Sequence, residues 1–387
     1  MLPALNEAEA AHSAALRAQI IRRIRASADC IDFETFMELA LYAPGLGYYS
    51  AGSTKLGAAG DFTTAPEISA LFGRCVARQC AQILRASGGD SVLELGAGTG
   101  SMAATILREL AASDALPTHY DILEVSADLA QRQRRHLATL PEALQSRIRW
   151  IQQLPARPLR GVILANEVLD ALPCHRFVVG DATVEALGVS AAADGTLGWA
   201  RRAAGAVLTA AVQELNDALP VPLPPGYVSE LCTRVDPWVA GLSACLERGA
   251  LLLFDYGLPR AQYYQPDRDT GTLICHYKHR AHFDPFVNVG VQDITAWVDF
   301  TRVALAGHSS GLGVLGLCTQ AAFLLGTGID EFLAQARDTH EQARLAGEAR
   351  RLLLPGEMGE AFKLLALGRG IDAPLDCFRF QDLRDSL

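Results

Sequence analysis

Basic residues are in the minority. Thirty-four lysines and arginines stand against 43 aspartates and glutamates, for a formal net charge of −9. A broad phosphate-binding face needs a local excess of positive charge, so no nucleic-acid partner is expected. Cysteines at metal or redox spacing are missing too. None of the nine forms a Cys-x-x-Cys pair, and the closest two are Cys75 and Cys80. An odd number without a framework reads as reduced thiols. The opening MLPALNEAEA lacks the basic stretch and apolar run of a secretory signal, and Glu7 and Glu9 disfavour an acid-poor transit peptide. No clean apolar run reaches membrane-spanning length, because Thr319, Gln320 and several glycines interrupt residues 311–329. A cytoplasmic chain with no membrane partner is therefore expected. Neither a G-x-S-x-G elbow nor a phosphate-binding P-loop is present. His276, His279 and His282 are spaced by three, but Lys278 and Arg280 between them would repel a cation, so no metal is expected.

What is present describes a globular α/β chain. Half the residues are hydrophobic and a fifth are charged. Apolar positions at helical spacing predict an amphipathic helix over 12–29. Asp32 is placed to cap a second helix, FETFMELAL, which stops before Pro44-Gly45. A glycine-rich loop follows over 45–60 and runs into GDFTTAPEIS; loops so rich in special residues often carry function. From residue 91 strands alternate with helices: SVLELG, SMAATILREL, YDILEVS, a helix over 127–139, IRWIQ and GVILANEV, with ALLLFDYG later. That alternation means βαβ units and a parallel sheet. HRFVVG, ATVEALGVS and GTLGWARR read as an antiparallel insertion, with Asp194-Gly195 as a hairpin turn and a helix over 204–218 behind them. Residues 258–292 read as loop, and helices including 330–353 close the chain.

The chemistry concentrates at the ends of the predicted strands. In Val92-Leu93-Glu94-Leu95-Gly96-Ala97-Gly98-Thr99-Gly100 a strand runs into a glycine turn and then a helix. Glycines permit positive φ and close approach of a ligand, and the helix N-terminus offers free N–H groups to an anion. A dinucleotide fingerprint needs its third small residue at position 101, where Ser stands. The observed E-x-G-x-G-x-G is the form used for S-adenosylmethionine, so Glu94, Gly96, Gly98 and Gly100 are candidate cofactor residues. Glu124 ends the second strand, where a carboxylate can bind ribose hydroxyls. The fourth strand ends in Asn166-Glu167-Val168-Leu169-Asp170, in the region that forms the ligand crevice of such sheets. Asn166 joins the cofactor set, and Glu167 and Asp170 are candidate catalytic carboxylates. The simpler reading, that either acid caps a following helix, stands beside this one.

These stretches resemble the MidA-like methyltransferases, a family that includes the mitochondrial complex I assembly-factor arginine methyltransferase. The resemblance is carried by LYAPGLGYYS, GDFTTAPEISALFG, VLELGAGTG, LEVS, ANEVLDALP, DYG, DPFVNVGVQDITAWVDF and EMGEAFKLLALGRG, from about residue 40 to 370. It implies a Rossmann-like class I methyltransferase sheet with a family-specific α+β insertion and helical N- and C-terminal additions. The domain organisation expected is 1–90 for the N-terminal helices and loop, 91–175 with 250–257 for the cofactor core, 176–249 for the insertion and 258–387 for the remainder. The resemblance also implies S-adenosyl-L-methionine as cofactor and a protein substrate carrying a reactive arginine. A guanidinium is protonated at neutral pH, so a carboxylate must orient it; Glu167 and Asp170 come first, with Glu67 third. One departure is Trp297, which stands in DITAWVDF where the family pattern has His. The alternatives are a cofactor-binding assembly factor with little turnover and a nicotinamide-dependent dehydrogenase.

Overall fold

The computed structural model describes residues 2–51, 63–181 and 183–387. The chain divides into two compact units. One consists of Met1–Phe62, Asp170–Val235 and Leu258–Asp299; the other of Thr63–Leu169, Asp236–Gly257 and Phe300–Leu387.

The second unit is built on a twisted sheet. Its strands are β1 (Ser91–Leu95), β2 (His119–Leu123), β3 (Ile148–Ile151), β4 (Leu159–Asn166), β5 (Leu246–Leu258), β6 (Gly313–Thr319) and β7 (Phe362–Arg369). They lie in the order β6-β7-β5-β4-β1-β2-β3. The pairs from β5 to β3 are parallel, and β7 runs antiparallel to both neighbours. The near-continuous apolar runs of β1, β4 and β5 are what a sheet covered on both faces requires. Helices α1 (Ala70–Ser87), α2 (Ser101–Ala112) and α3 (Ala127–Leu137) supply the cover. Leu71, Phe72, Val76 and Ile83 of α1 and Ile106, Leu107 and Leu110 of α2 are fully buried with Val92, Val162, Leu252 and Leu364 of the sheet. Ser69 starts α1 by accepting from the Leu71 amide at 3.2 Å, and Gly88 ends it in the left-handed region. Strand order reverses beside β1, so the carboxyl ends of β1 and β4 flank the switch point where such sheets bind ligands.

The first unit is antiparallel. Strand Val184–Ala191 pairs with Ile31–Asp32, His175–Val179 and Leu197–Ala203, and His175–Val179 also pairs with Val228–Leu231. Helices Glu7–Arg25 and Phe33–Tyr42 bury Leu16, Ile20, Ile24, Phe33 and Phe36 against Val189 and Leu197. Helix Ala206–Ala218 packs Leu208, Val212 and Leu215 against Phe177 and Tyr227.

Four details differ from the sequence reading. The first helix begins at Glu7, not 12, because Asn6 and Glu9 form a reciprocal capping box. Asp32 stands at the N-cap position of the second helix but makes no capping bond with its side chain. The segment 258–292 is not all loop: Ile274–Tyr277 pairs with Arg280–His282 and Asp293–Thr295. Strands of three or four residues are too short to show a period. The helix expected over 330–353 is two, Ile329–Leu333 and Thr339–Leu353, the second capped by Asp338. Most of the glycine-rich loop over 45–60, and the start of GDFTTAPEIS, lie outside the described residues.

Candidate cofactor site

The glycine turn between β1 and α2 opens the site. Gly96, Gly98 and Gly100 all have positive φ, at 62°, 54° and 87°. Gly100 is also the N-cap of α2, and a Cβ there would touch Leu137 of α3 at 3.4 Å. The turn is fixed at both ends: the Gly96 amide donates to the Leu123 carbonyl at 3.1 Å, and the Gly100 amide to the Ala97 carbonyl at 2.8 Å. Among the described residues the amides of Ala97, Gly98 and Thr99 meet no protein acceptor. Three such N–H groups at a helix N-terminus form a concavity for an anion. The Thr99 hydroxyl donates to Glu67 and lies 2.8 Å from the Ser101 hydroxyl. Glu67, third among the catalytic candidates, is thus placed against the glycine turn.

Glu94 projects from β1 into the interior and is 1% exposed. Its Oε2 accepts from the Tyr120 hydroxyl at 2.7 Å, while Oε1 has no partner among the described residues. Burial, reinforced by the nearby Glu124 charge, pushes this carboxyl up to about 7 against the lowering effect of Tyr120. Glu124, just past β2, is also buried. Its Oε1 accepts from the Ser126 amide at 2.8 Å and its Oε2 from Gln133 Nε2 at 2.9 Å. The next residue, Val125, is 76% exposed. A bare apolar side chain beside the candidate ribose carboxylate is a surface of the kind on which a purine ring packs.

At the carboxyl end of β4, Asn166 Nδ2 donates to Glu167 Oε1 at 3.1 Å. Glu167 itself holds φ of +54°, a left-handed conformation that costs a non-glycine residue about 1–2 kcal/mol. Its amide is anchored to the Phe254 carbonyl of β5 at 2.9 Å. The segment after it is held by Asp255, which is fully buried and accepts from the Leu169 amide at 2.9 Å and the Tyr256 amide at 2.9 Å. Non-glycine residues forced into this region of φ cluster at functional sites.

The structure therefore gathers Glu67, Glu94, Gly96, Gly98, Gly100, Glu124, Asn166 and Glu167 in one unit. Asp170 belongs to the other. The helical turn expected to carry Glu167 and Asp170 on one face does not form: residues 167–172 make bends and a turn, and no helix follows for either acid to cap. The positive φ of Glu167 redirects the chain before a helical turn can start. In the first unit Asp170 is buried, and its carbonyl accepts from the Ala296 amide at 3.1 Å. Trp297 lies in the same unit, with the Arg268 guanidinium 5.2 Å above its ring. Among the described residues no cluster of His, Cys, Asp and Glu could hold a metal.

Sequence reasoning missed Gln133, Val125 and Asp255. Gln133 carried a readable signal, since it shares the buried stripe of α3 with Ala130 and Leu137 at spacings of three and four. Asp255 directly follows the apolar run Ala250–Phe254 within β5.

The site fits S-adenosylmethionine on this geometry: free amides for the amino-acid carboxylate, a carboxylate for the ribose and an exposed apolar side chain for the base. The comparisons agree. The model of an S-adenosyl-L-methionine-dependent methyltransferase family matches residues 75–318. A crystal structure from Burkholderia thailandensis bound to S-adenosyl-homocysteine is 40% identical, with TM-score 0.95 and 100% of both chains covered. The mitochondrial protein arginine methyltransferase NDUFAF7 homolog of Drosophila melanogaster is 29% identical, over 95% of this chain and 88% of that one. Protein arginine methyltransferase NDUFAF7 of Danio rerio is 29% identical, over 87% and 83%. The nicotinamide alternative finds no support in these matches. The chain belongs to the MidA-like family of S-adenosylmethionine-dependent methyltransferases.

Proposed function

We propose that the chain methylates a guanidinium nitrogen of a protein arginine. The observation that carries this is Glu167: a carboxylate in a strained backbone conformation at the carboxyl end of β4, bonded to Asn166 in the unit that holds the glycine turn. The names of the relatives, protein arginine methyltransferases, support the same substrate class. When bound, S-adenosylmethionine supplies an electrophilic methyl group. The residues' task is positioning, which can supply much of a rate enhancement in a transfer between two bound groups. Glu167 accepts hydrogen bonds from the guanidinium, offsets its charge and turns one nitrogen toward the methyl group, and the proton that this nitrogen gives up on methylation passes by way of the Glu167 carboxylate to solvent. Asn166 holds the Glu167 carboxylate, and Asp255 holds the backbone that follows it.

The test is transfer of labelled methyl groups to whole-cell protein extract, with methylarginine identified after hydrolysis and cofactor affinity measured in parallel. Glu167→Gln keeps nearly the same shape. It should retain cofactor affinity and lose transfer by about a hundredfold or more, the scale of losing a charged contact made in the transition state. Wild-type transfer by the variant removes Glu167 from the reaction. If wild-type protein labels no arginine in any extract, the arginine reading fails, and a cofactor-binding assembly factor takes its place.

A further inference from the structure

We propose that Gln133 is a positioning residue that sets both ends of the cofactor cradle at once. The inference rests on the assignment of the glycine turn and Glu124 to S-adenosylmethionine.

Gln133 lies on α3 and is 0% exposed. Its Nε2 donates to Glu124 Oε2 at 2.9 Å and to the Gly98 carbonyl at 3.1 Å. Its Oε1 accepts from Trp150 Nε1 of β3 at 3.0 Å. Two acceptors for the nitrogen and one donor for the oxygen fix the orientation of the amide, and both N–H groups are used. One side chain therefore joins the segments that leave β1 and β2 to β3.

Each bond has a consequence for the ligand. The Gly98–Thr99 peptide is trans, so holding the Gly98 carbonyl toward Gln133 turns the Thr99 N–H the opposite way. That N–H is one of the three amides that meet no protein acceptor among the described residues. Gln133 thereby aims it at the anion the turn binds. The second bond fixes the Glu124 carboxylate, whose other oxygen is held by the Ser126 amide. Glu124 is thus oriented before any ribose hydroxyl reaches it. A buried amide with all its polar atoms matched is held in one orientation and specifies the geometry of the groups it bonds.

The experiment is calorimetric titration of the full chain with S-adenosylhomocysteine, for wild type, Gln133→Met and Gln133→Glu, from pH 5.5 to 8.5. Gln133→Met fills the space and removes both donors. It should weaken binding about ten- to a hundredfold, the scale of removing a donor from a buried charged acceptor and from the Gly98 carbonyl together. Gln133→Glu supplies a readout that a packing role would not move. A carboxyl at 133 beside Glu124 shares one proton at low pH and donates it to Glu124, restoring one of the two donated bonds but not the one to Gly98, so affinity should then recover in part. As pH rises that proton is lost and two carboxylates face each other. The ratio of variant to wild-type dissociation constants should therefore grow with pH. The other charged groups near the pair are Glu94, bonded to Tyr120; Arg134, over the Trp150 ring; the Asp128–Arg132 pair of α3; and Asp121 with Arg149. They are common to all three proteins, and the Gln133→Met series, with no titrating group at 133, measures their share of the pH dependence. A folded Gln133→Met within twofold of wild type, or a Gln133→Glu ratio flat with pH, overturns the proposal. Should Gln133→Met fail to fold, the pH dependence of Gln133→Glu decides alone. If wild type does not bind at all, the assignment of the cradle falls, and the proposal with it.

Discussion

Glu94 should make the fold less stable as pH rises through the weakly acid range. Its carboxyl is pushed from the ordinary 4.5 up to about 7 by burial, with the Glu124 charge adding to the shift. Between those values the folded chain keeps a proton that the unfolded chain has released. Folded protein then binds more protons than unfolded, so stability is full below about 4.5 and is lost as pH climbs through about 7. At about 1.4 kcal/mol per pH unit the loss across that window is about 3 kcal/mol. Glu94→Gln removes the titration and keeps an acceptor for the Tyr120 hydroxyl. Its amide N–H takes the place of the carboxyl O–H at the unpartnered position, so neutral Glu and Gln should be nearly equal in stability at pH 4.5. Denaturant unfolding at half-unit steps from pH 4.5 to 7 measures the difference. The variant should match wild type at the acid end and exceed it by about 2–3 kcal/mol at the neutral end. The range stops there because burial pushes the Lys363 ammonium down to about 8, and its effect on stability with rising pH has the opposite sign. Parallel pH profiles for the two proteins would refute the buried, protonated Glu94.

Two further outcomes test the cradle and the strand end. Gly98→Val places a β-branched residue at φ of +54° in the turn, and should abolish binding of S-adenosylmethionine in a protein that still folds. Undiminished calorimetric affinity would remove the turn from the site. Asp255→Asn sets an amide donor against one of the two N–H groups the carboxylate now accepts. It should cost about 1–3 kcal/mol of stability and reduce methyl transfer with cofactor affinity unchanged. Equal losses of both would mean that Asp255 serves the cradle and not the Glu167 segment.

The glycine turn and the strand-end acids of the candidate cofactor site were legible in the sequence because the backbone there dictates the residue types. Only glycine tolerates the φ values of 62°, 54° and 87° at 96, 98 and 100 without strain, and an acid at the end of the second strand has a stated use. The strands of the parallel sheet were legible because burial on both faces leaves long apolar runs. The antiparallel strands at the other edge were not. Gly313–Thr319 carries Gly316, which packs directly on the Phe378 ring and breaks the pattern. Gln133 and Asp255 act on backbone amides and carbonyls far away in sequence, and no local spacing records such a bond. The helical turn expected to align Asp170 with Glu167 failed for a conformational reason. A spacing of three marks one face only if the chain is helical, and the segment from Glu167 is not.

The strain at Glu167 bears on whether the chain turns substrate over. Glycine, asparagine or aspartate occupies the left-handed region at lower cost than glutamate. A cofactor-binding scaffold has no use for a long carboxylate in that conformation and would gain stability by losing it. Here the conformation is instead over-determined. The Glu167 amide is bonded to Phe254, its carboxylate to Asn166, and the Leu169 amide two residues on to the buried Asp255. Burying Asp255 is itself costly unless its bonds are worth having. The fold thus spends stability twice, at Glu167 and at Asp255, to hold one acid at the carboxyl end of a strand beside the glycine turn's own strand. The same two costs explain why Glu167→Gln is the informative substitution. It leaves the strain, the Phe254 bond and the Asp255 clamp in place and removes the charge and one acceptor oxygen. A loss of transfer in that variant then reports on the carboxylate itself.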